Sequence, residues 1–226
     1  MAVRTIRSER ANATRRRILE TAERLFAEHG VTAVSNRQIS EAAGQGNNTA
    51  VGYHFGTKVD LVRAIVRRHN EDIERRRLDM VARAAGSDDP RDWVACLVHP
   101  VAEHLAESGS PTWFARFGAQ VMTDPSLRPI MYEETLSSPS LLRTLDELQR
   151  CLPDLPVEVR FERGDMTRQL IVHMLAERER ALAELTTTPR SDWCDAATGL
   201  VDAIVGLWSA PCTTGRRTET TDESEG

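Results

Sequence analysis

The stretch SEAAGQGNNTAVGYHFGTK, residues 40–58, sets four glycines, Gly44, Gly46, Gly52 and Gly56, among residues that otherwise favour helix. Just upstream, Ser35 and Gln38 stand at capping-box spacing, so the Ser35 hydroxyl can accept the Gln38 backbone N–H while the Gln38 side chain accepts that of Ser35. This predicts a helix to about Ala43 with Ile39, Ala42 and Ala43 inward. Gly44 ends it, since the left-handed residue that follows a helix costs glycine no Cβ clash. A short helix over about 47–54 comes next and Gly56 closes it. Thr57 with Asp60 repeats the capping signature and opens a long helix to Ala84, roughly 40 Å if unbroken. Leu61, Val62, Ile65 and Val66 mark its apolar face.

Two short helices joined by a tight glycine turn are the elements of a helix-turn-helix, whose second helix enters the DNA major groove. Ile39, Ala42, Ala43, Val51 and Phe55 supply the apolar lock between them. Asn47, Asn48, Thr49 and Gly52 are left facing outward, and amides and hydroxyls suit base edges and phosphate oxygens. Gly52 has two readings, since a glycine here sacrifices up to about 1 kcal/mol of helix stability relative to alanine. Either it lets backbone pass close to DNA, or it relieves crowding beside Tyr53. Ahead of the motif, RRRILETAERLFAEH, residues 15–29, places Ile18, Ala22, Leu25 and Phe26 at helical spacing, with Thr14 as N-cap and Gly30 past the end.

The chain has 226 residues, 40% hydrophobic and 28% charged, enough for one large domain or a small one joined to a medium one. No run approaches the roughly 18 apolar residues of a membrane span, and the N-terminus lacks the apolar core of a secretory signal, so the cytoplasm is the expected compartment. Cys96, Cys151, Cys194 and Cys212 are widely spaced with no CxxC pair, which argues for structural thiols and against a zinc site or disulfide framework. The net charge of −5 divides unevenly. Residues 1–58 carry nine Arg/Lys against five Asp/Glu, and the remainder twenty against twenty-nine. A basic head steers toward phosphate while an acidic body discourages contact elsewhere. The same six N-terminal arginines are equally compatible with a solvated arm that has no partner.

GSDDP, residues 86–90, breaks the chain by composition. Helices are expected beyond it near 90–107, 111–123, 126–134, 138–151, 164–186 and 190–208, with VEVRF at 157–161 a loop or helix start. The fold class is all-α. A basic arm occupies 1–13, the helix-turn-helix domain 14–58 and a second helical domain 59–208, and the polar tail 209–226 is expected to be disordered.

ISEAAG followed by YHFGTKVDL resembles the DNA-binding domain of the TetR family of bacterial transcriptional regulators, over residues 14 to about 66. The resemblance implies an N-terminal three-helix reader of double-stranded DNA joined by a long helix to a helical effector-binding and dimerisation domain. By matching position it makes Tyr53, His54 and Lys58 phosphate contacts, and Ser35 and Arg37 further backbone anchors. One departure stands out. The family's usual spacing from turn glycine to Phe is one residue shorter than Gly44 to Phe55, which leaves the start of the reading helix open. The implied function is a homodimeric repressor on a palindromic operator, released by a small-molecule effector. The alternatives are a partner-controlled regulator or activator without such a pocket, and an all-helical enzyme, although no GxSxG, HExxH, GxGxxG or phosphate loop is present.

The second domain also speaks through its own residues. SDWCDAATGLVDAIVGLWSAP lines up Trp193, Ala197, Leu200, Val201, Ile204, Val205 and Trp208, and the preceding helix supplies Leu170, Ile171 and Met174. Leu170, Met174, Trp193, Leu200, Val201, Ile204 and Trp208 are the expected dimer interface, with a core helix buried in one subunit as the alternative. For an effector, Trp113, Phe114, Phe117 and Met122 fall on one predicted helix, and Trp93, His99, His104 and His173 can face the same interior. Plain core is the competing reading. His99 and His104 lie five residues apart with Pro100 between them, a poor metal pair. No cofactor and no metal is expected.

Overall fold

The computed structural model describes residues 2–46, 49–109 and 111–212, with side chains described from residue 9 onward. Among them lie ten helices: α1 (Ala2–His29), α2 (Asn36–Ala42), α3 (Ala50–Phe55), α4 (Lys58–Ala84), α5 (Pro90–Glu107), α6 (Phe114–Thr123), α7 (Arg128–Leu136), α8 (Pro139–Cys151), α9 (Val157–Ala183) and α10 (Trp193–Ser209). No strand occurs among the described residues. Asn47 and Asn48 lie outside them, as does the tail from residue 213.

Two expected boundaries move by more than three residues. α1 begins at Ala2 instead of after Thr14, because no Gly or Pro interrupts residues 2–14 and nothing there stops a helix already nucleated at Ile18. Residues 9–17 are mostly exposed, so the arm continues the helix past the core. α9 begins at Val157, directly after Pro156, so VEVRF is a helix start and Gly164 sits inside the helix. One interior glycine costs about 1 kcal/mol, which the buried Arg163 and Thr167 on either side offset. Arg163 donates to the carbonyls of Trp208 at 2.7 Å and Ala210 at 2.6 Å.

Local chemistry sets the remaining ends. Asp89 caps α5 through the Arg91 N–H at 2.8 Å, with Pro90 in the first turn where its missing N–H is harmless. α6 has no cap of its own. Its first-turn N–H groups at Ala115 and Arg116 donate instead to the carboxylate of Glu179 on α9, at 3.2 and 2.9 Å. A buried anion thus satisfies a helix N-terminus from a distant segment.

α4 is the spine. Leu61, Val62, Ile65 and Val66 pack toward α1 to α3, and Ile73, Arg77 and Val81 on later turns pack among α5, α7 and α8. The head also docks on the body through α1 and α6, where the Phe26 and Phe117 rings stack at 6.2 Å. Each such aromatic or aliphatic side chain, fully covered, contributes roughly 1.5–3 kcal/mol.

Candidate nucleic-acid interface and interior cavity

The turn between α2 and α3 is a Schellman motif. Gln45 N donates to Ser40 O at 2.9 Å and Gly44 N to Glu41 O at 3.0 Å, with Gly44 at φ +67. Ser35 caps α2 and the full capping box forms with Gln38. Ile39, Ala43, Ala50 and Val51 are buried and lock the helices together, with Phe55 half-buried. Ala42 is exposed, contrary to the inward expectation, because the helix ends there and its face turns away from α3.

This packing leaves Thr49, Gly52 and Tyr53 exposed at i, i+3 and i+4, one face of α3. Tyr53 is 83% exposed and meets the half-buried His54 edge to face at 5.0 Å. A Cβ built on Gly52 finds nothing within 4 Å outside its chain neighbours and its own helix's backbone, so no other segment of the chain requires a glycine there. Gly56, at φ +83, closes α3 and donates to Gly52 O at 2.9 Å. Asn47 and Asn48, expected on the same outward surface, fall outside the described residues.

The other expected anchors are already engaged. Arg37 pairs with Glu41 at 2.7 Å on an exposed surface, where water screens the pair and it is readily exchanged. Lys58 donates to the carbonyls of Val31 at 3.1 Å and Val34 at 2.6 Å. Two of its three N–H groups therefore hold the connection between α1 and α2. The sequence reading did not single out Arg15, whose guanidinium lies 4.7 Å above the Phe55 ring. This places the exposed run Arg15, Arg16 and Arg17 beside α3. Its available signal was the basic triplet one residue ahead of the first core position, Ile18.

In the body, a cavity of about 430 Å³ lies among α4 to α9. Asn70, Ile73 and Arg77 of α4 form one wall, Phe114 and Met122 of α6 another, and Tyr132, Leu145 and Arg168 belong to further helices around it. Phe114 and Met122 are where the sequence placed them. The other expected ligand residues are not in this wall. Trp93 is fully buried and its indole N–H closes the α4–α5 loop on Ser87 O at 3.1 Å. Phe117 is core against Phe26, and the half-buried His99 and His173 line neither this cavity nor a second of about 310 Å³. Trp113 borders that second recess, its ring covered by Arg116 at 4.8 Å.

Between head and body runs a buried chain of polar groups. Glu23 of α1 is hydrogen-bonded to His69 Nε2 of α4 at 2.8 Å, and His69 Nδ1 to His104 Nε2 of α5 at 2.7 Å. Phe114 stacks on the His69 ring at 3.9 Å. Burial, then the neighbouring His69, pushes His104 down to about 4. Among the described residues no cluster of three or more His, Cys, Asp or Glu could hold a metal.

The expected dimer stripe needs correction. Leu200, Val201, Ile204 and Trp208 are buried within the subunit, because α10 presents that face to α5 and α9. The Trp208 indole N–H donates to Thr167 Oγ1 at 2.9 Å. Trp193 is half-buried under Arg178, whose guanidinium lies 5.2 Å from its ring. Leu170 is likewise half-buried, and Met174, 54% exposed, keeps the most surface of the seven.

Residues 18–65 match the family described as "Bacterial regulatory proteins, tetR family", and residues 95–206 match "Tetracyclin repressor-like, C-terminal domain". The HTH-type transcriptional repressor AcnR of Corynebacterium diphtheriae is 30% identical over 152 residues, 64% of this chain and 72% of that protein. The chain belongs to the TetR family. Two further relatives, the HTH-type transcriptional regulator TtgR and the probable HTH-type transcriptional regulator ArpR, both of Pseudomonas putida, are each 36% identical over 89 residues. Those matches take in 39% of this chain and 40% of each relative, so the chain spans less than half the length of these two. A TetR family transcription regulator from Marinobacter aquaeolei VT8 shares the fold, with a TM-score of 0.57 over 87% of this chain and 97% of that one at 15% identity. The TetR-family head thus coincides with α1 to α3 and the start of α4. No described helix is long and apolar enough to cross a membrane.

Proposed function

We propose that this TetR-family chain is a homodimeric repressor whose α3 reads a palindromic operator in double-stranded DNA and which a small-molecule effector releases. The observation that carries the reading is the continuity of α4. Its first residue follows the reading motif directly, and its later turns supply Asn70, Ile73 and Arg77 to the cavity wall. A molecule that prefers one position of those turns biases the head through a single rigid rod. Coupling of roughly 1–3 kcal/mol changes DNA affinity about 5- to 150-fold.

On this reading Thr49 and Gly52, with Asn47 and Asn48, meet base edges. Tyr53, His54, Arg37, Ser35, Lys58 and the Arg15–Arg17 run meet phosphate. Met166, Leu170 and Met174, at i, i+4 and i+8 on α9, offer an apolar stripe to a second subunit, with Met166 49% exposed. The cavity favours a small molecule over control by a protein partner alone. Footprinting on DNA that flanks the gene tests the proposal. The expected outcome is a protected inverted repeat with half-sites about 34–36 Å apart or a multiple of it, lost when the effector is added. Protection of a single unrepeated site overturns the dimeric operator reading.

A further inference from the structure

The cavity wall holds two buried donors with no acceptor, and that asymmetry speaks to what fills it. Its surface is mainly carbon, from Ile73, Phe114, Met122, Leu145 and Leu175 among others. Two donors in the wall, Asn70 Nδ2 on α4 and Arg168 Nε on α9, are buried and have no hydrogen-bond partner among the described residues. A third wall residue, Arg77, is buried with its guanidinium on Cys96 O at 3.0 Å and its nearest carboxylate, Glu74, 3.8 Å away. Glu74 is itself held by Ser138 and Ser140 and does not line the cavity. The single carboxylate in the wall, Asp165, already takes Arg168 Nη2 at 3.1 Å.

Two guanidinium groups against one carboxylate leave the wall net positive. A donor buried without an acceptor forfeits the hydrogen bond it would make to water, and a ligand acceptor placed there restores one. Arginine binds carboxylate more strongly than it binds a neutral acceptor, because the hydrogen bonds are charge-assisted. A cationic head would meet Arg77 and Arg168 with only Asp165, already shared with Arg168, to neutralise it.

We infer that the cavity takes an amphipathic organic acid, a long or fused apolar body ending in one carboxylate, with Arg168 and Asn70 binding the head and the apolar wall the body. This rests on the cavity being the effector site proposed above, but it is tested without DNA. Calorimetry on the purified chain compares three probes with one body, decanoate, decanol and decylammonium, at pH 7.5. Decanoate is expected to bind at least tenfold more tightly than decanol, with decylammonium weakest. In Arg168→Gln and in Asn70→Leu the gap between acid and alcohol should narrow to threefold or less, while decanol affinity stays within twofold and reports that the cavity is still folded. Decylammonium binding as tightly as decanoate overturns the inference, as does an acid preference that survives both substitutions, or failure of all three probes to bind. A chain that selects decanoate yet never binds DNA would fail the regulator reading alone. A chain that binds its operator and ignores the acid would fail this inference alone.

Discussion

In α1, Arg10, Arg15, Arg16 and Arg17 are exposed and, among the described residues, join no ion pair. From α4 onward several arginines turn to carboxylates of other helices: Arg63 and Arg67 converge on Glu134 of α7, Arg76 on Glu107 of α5, and Arg116 meets Glu179 of α9. One sequence thus uses the same side chain in two ways. Charge left open to water keeps its long-range pull on a polyanion, whereas charge neutralised between helices fixes their packing and projects little beyond the surface.

The contrast is sharpest for stability. Glu179→Ala removes the anion that caps α6 and neutralises Arg116, leaving two N–H groups and a guanidinium buried, and is expected to destabilise the chain by about 3–5 kcal/mol in urea unfolding. Arg37→Ala, which opens the exposed pair of the head, is expected to leave the urea midpoint essentially unchanged. Similar losses for the two would erase the distinction.

The polar chain between head and body gives the next effect. His104 is held neutral in the fold at about 4, against 6.5 for the free side chain, by burial first and then by His69 and Arg76, against the opposing pull of Asp72 and Glu23. Its folded pKa is depressed, so the unfolded chain takes up a proton first. Stability therefore falls as pH drops from about 6.5 toward 4, by roughly 2–3 kcal/mol from this group. Thermal melts across that window should show the loss, and His104→Asn should flatten it. An unchanged slope in that variant would assign the acid sensitivity to other groups.

Within the head, substitutions should separate reading from attraction. Thr49→Ala is expected to lose about 1–3 kcal/mol on the cognate site and little on random DNA. Arg16→Ala should weaken both equally and lower the salt slope by about one. Competition with random DNA distinguishes them, and equal losses for Thr49→Ala would move that residue to the phosphate contacts. The smallest expected effect is at Gly52. A Cβ there meets no other segment of the chain, so Gly52→Ala should raise stability by up to about 1 kcal/mol while lowering operator affinity. Unchanged affinity would show that the glycine serves no close approach.

The same two regions differ in how well the sequence could be read. The ends of α2 and α4 were legible because their capping boxes lie within four residues of chain. The Gly44 turn was legible because it needs only a positive φ. Helix positions in the body were visible too, with α5 at its expected bounds, since Pro, Gly and Ser mark them. Which face of each helix turns inward was not visible. Trp208 and Ile204 form an apolar stripe equally suited to a partner subunit or to α5, and only the packed arrangement separates the two. Likewise Phe114 and Phe117 share a helix, yet one borders the cavity and the other the α1 contact. The double duty of Lys58 was hidden as well, because its carbonyl partners lie 24 and 27 residues away.

The most direct measurement is fluorescence anisotropy of the chain on its footprinted operator between 50 and 200 mM salt. With about six to ten phosphates neutralised, log affinity should fall linearly with log salt concentration, by roughly 10³-fold or more across that range. An affinity that stays level over the same range would mean that the open arginines of α1 and the exposed face of α3 do not meet DNA.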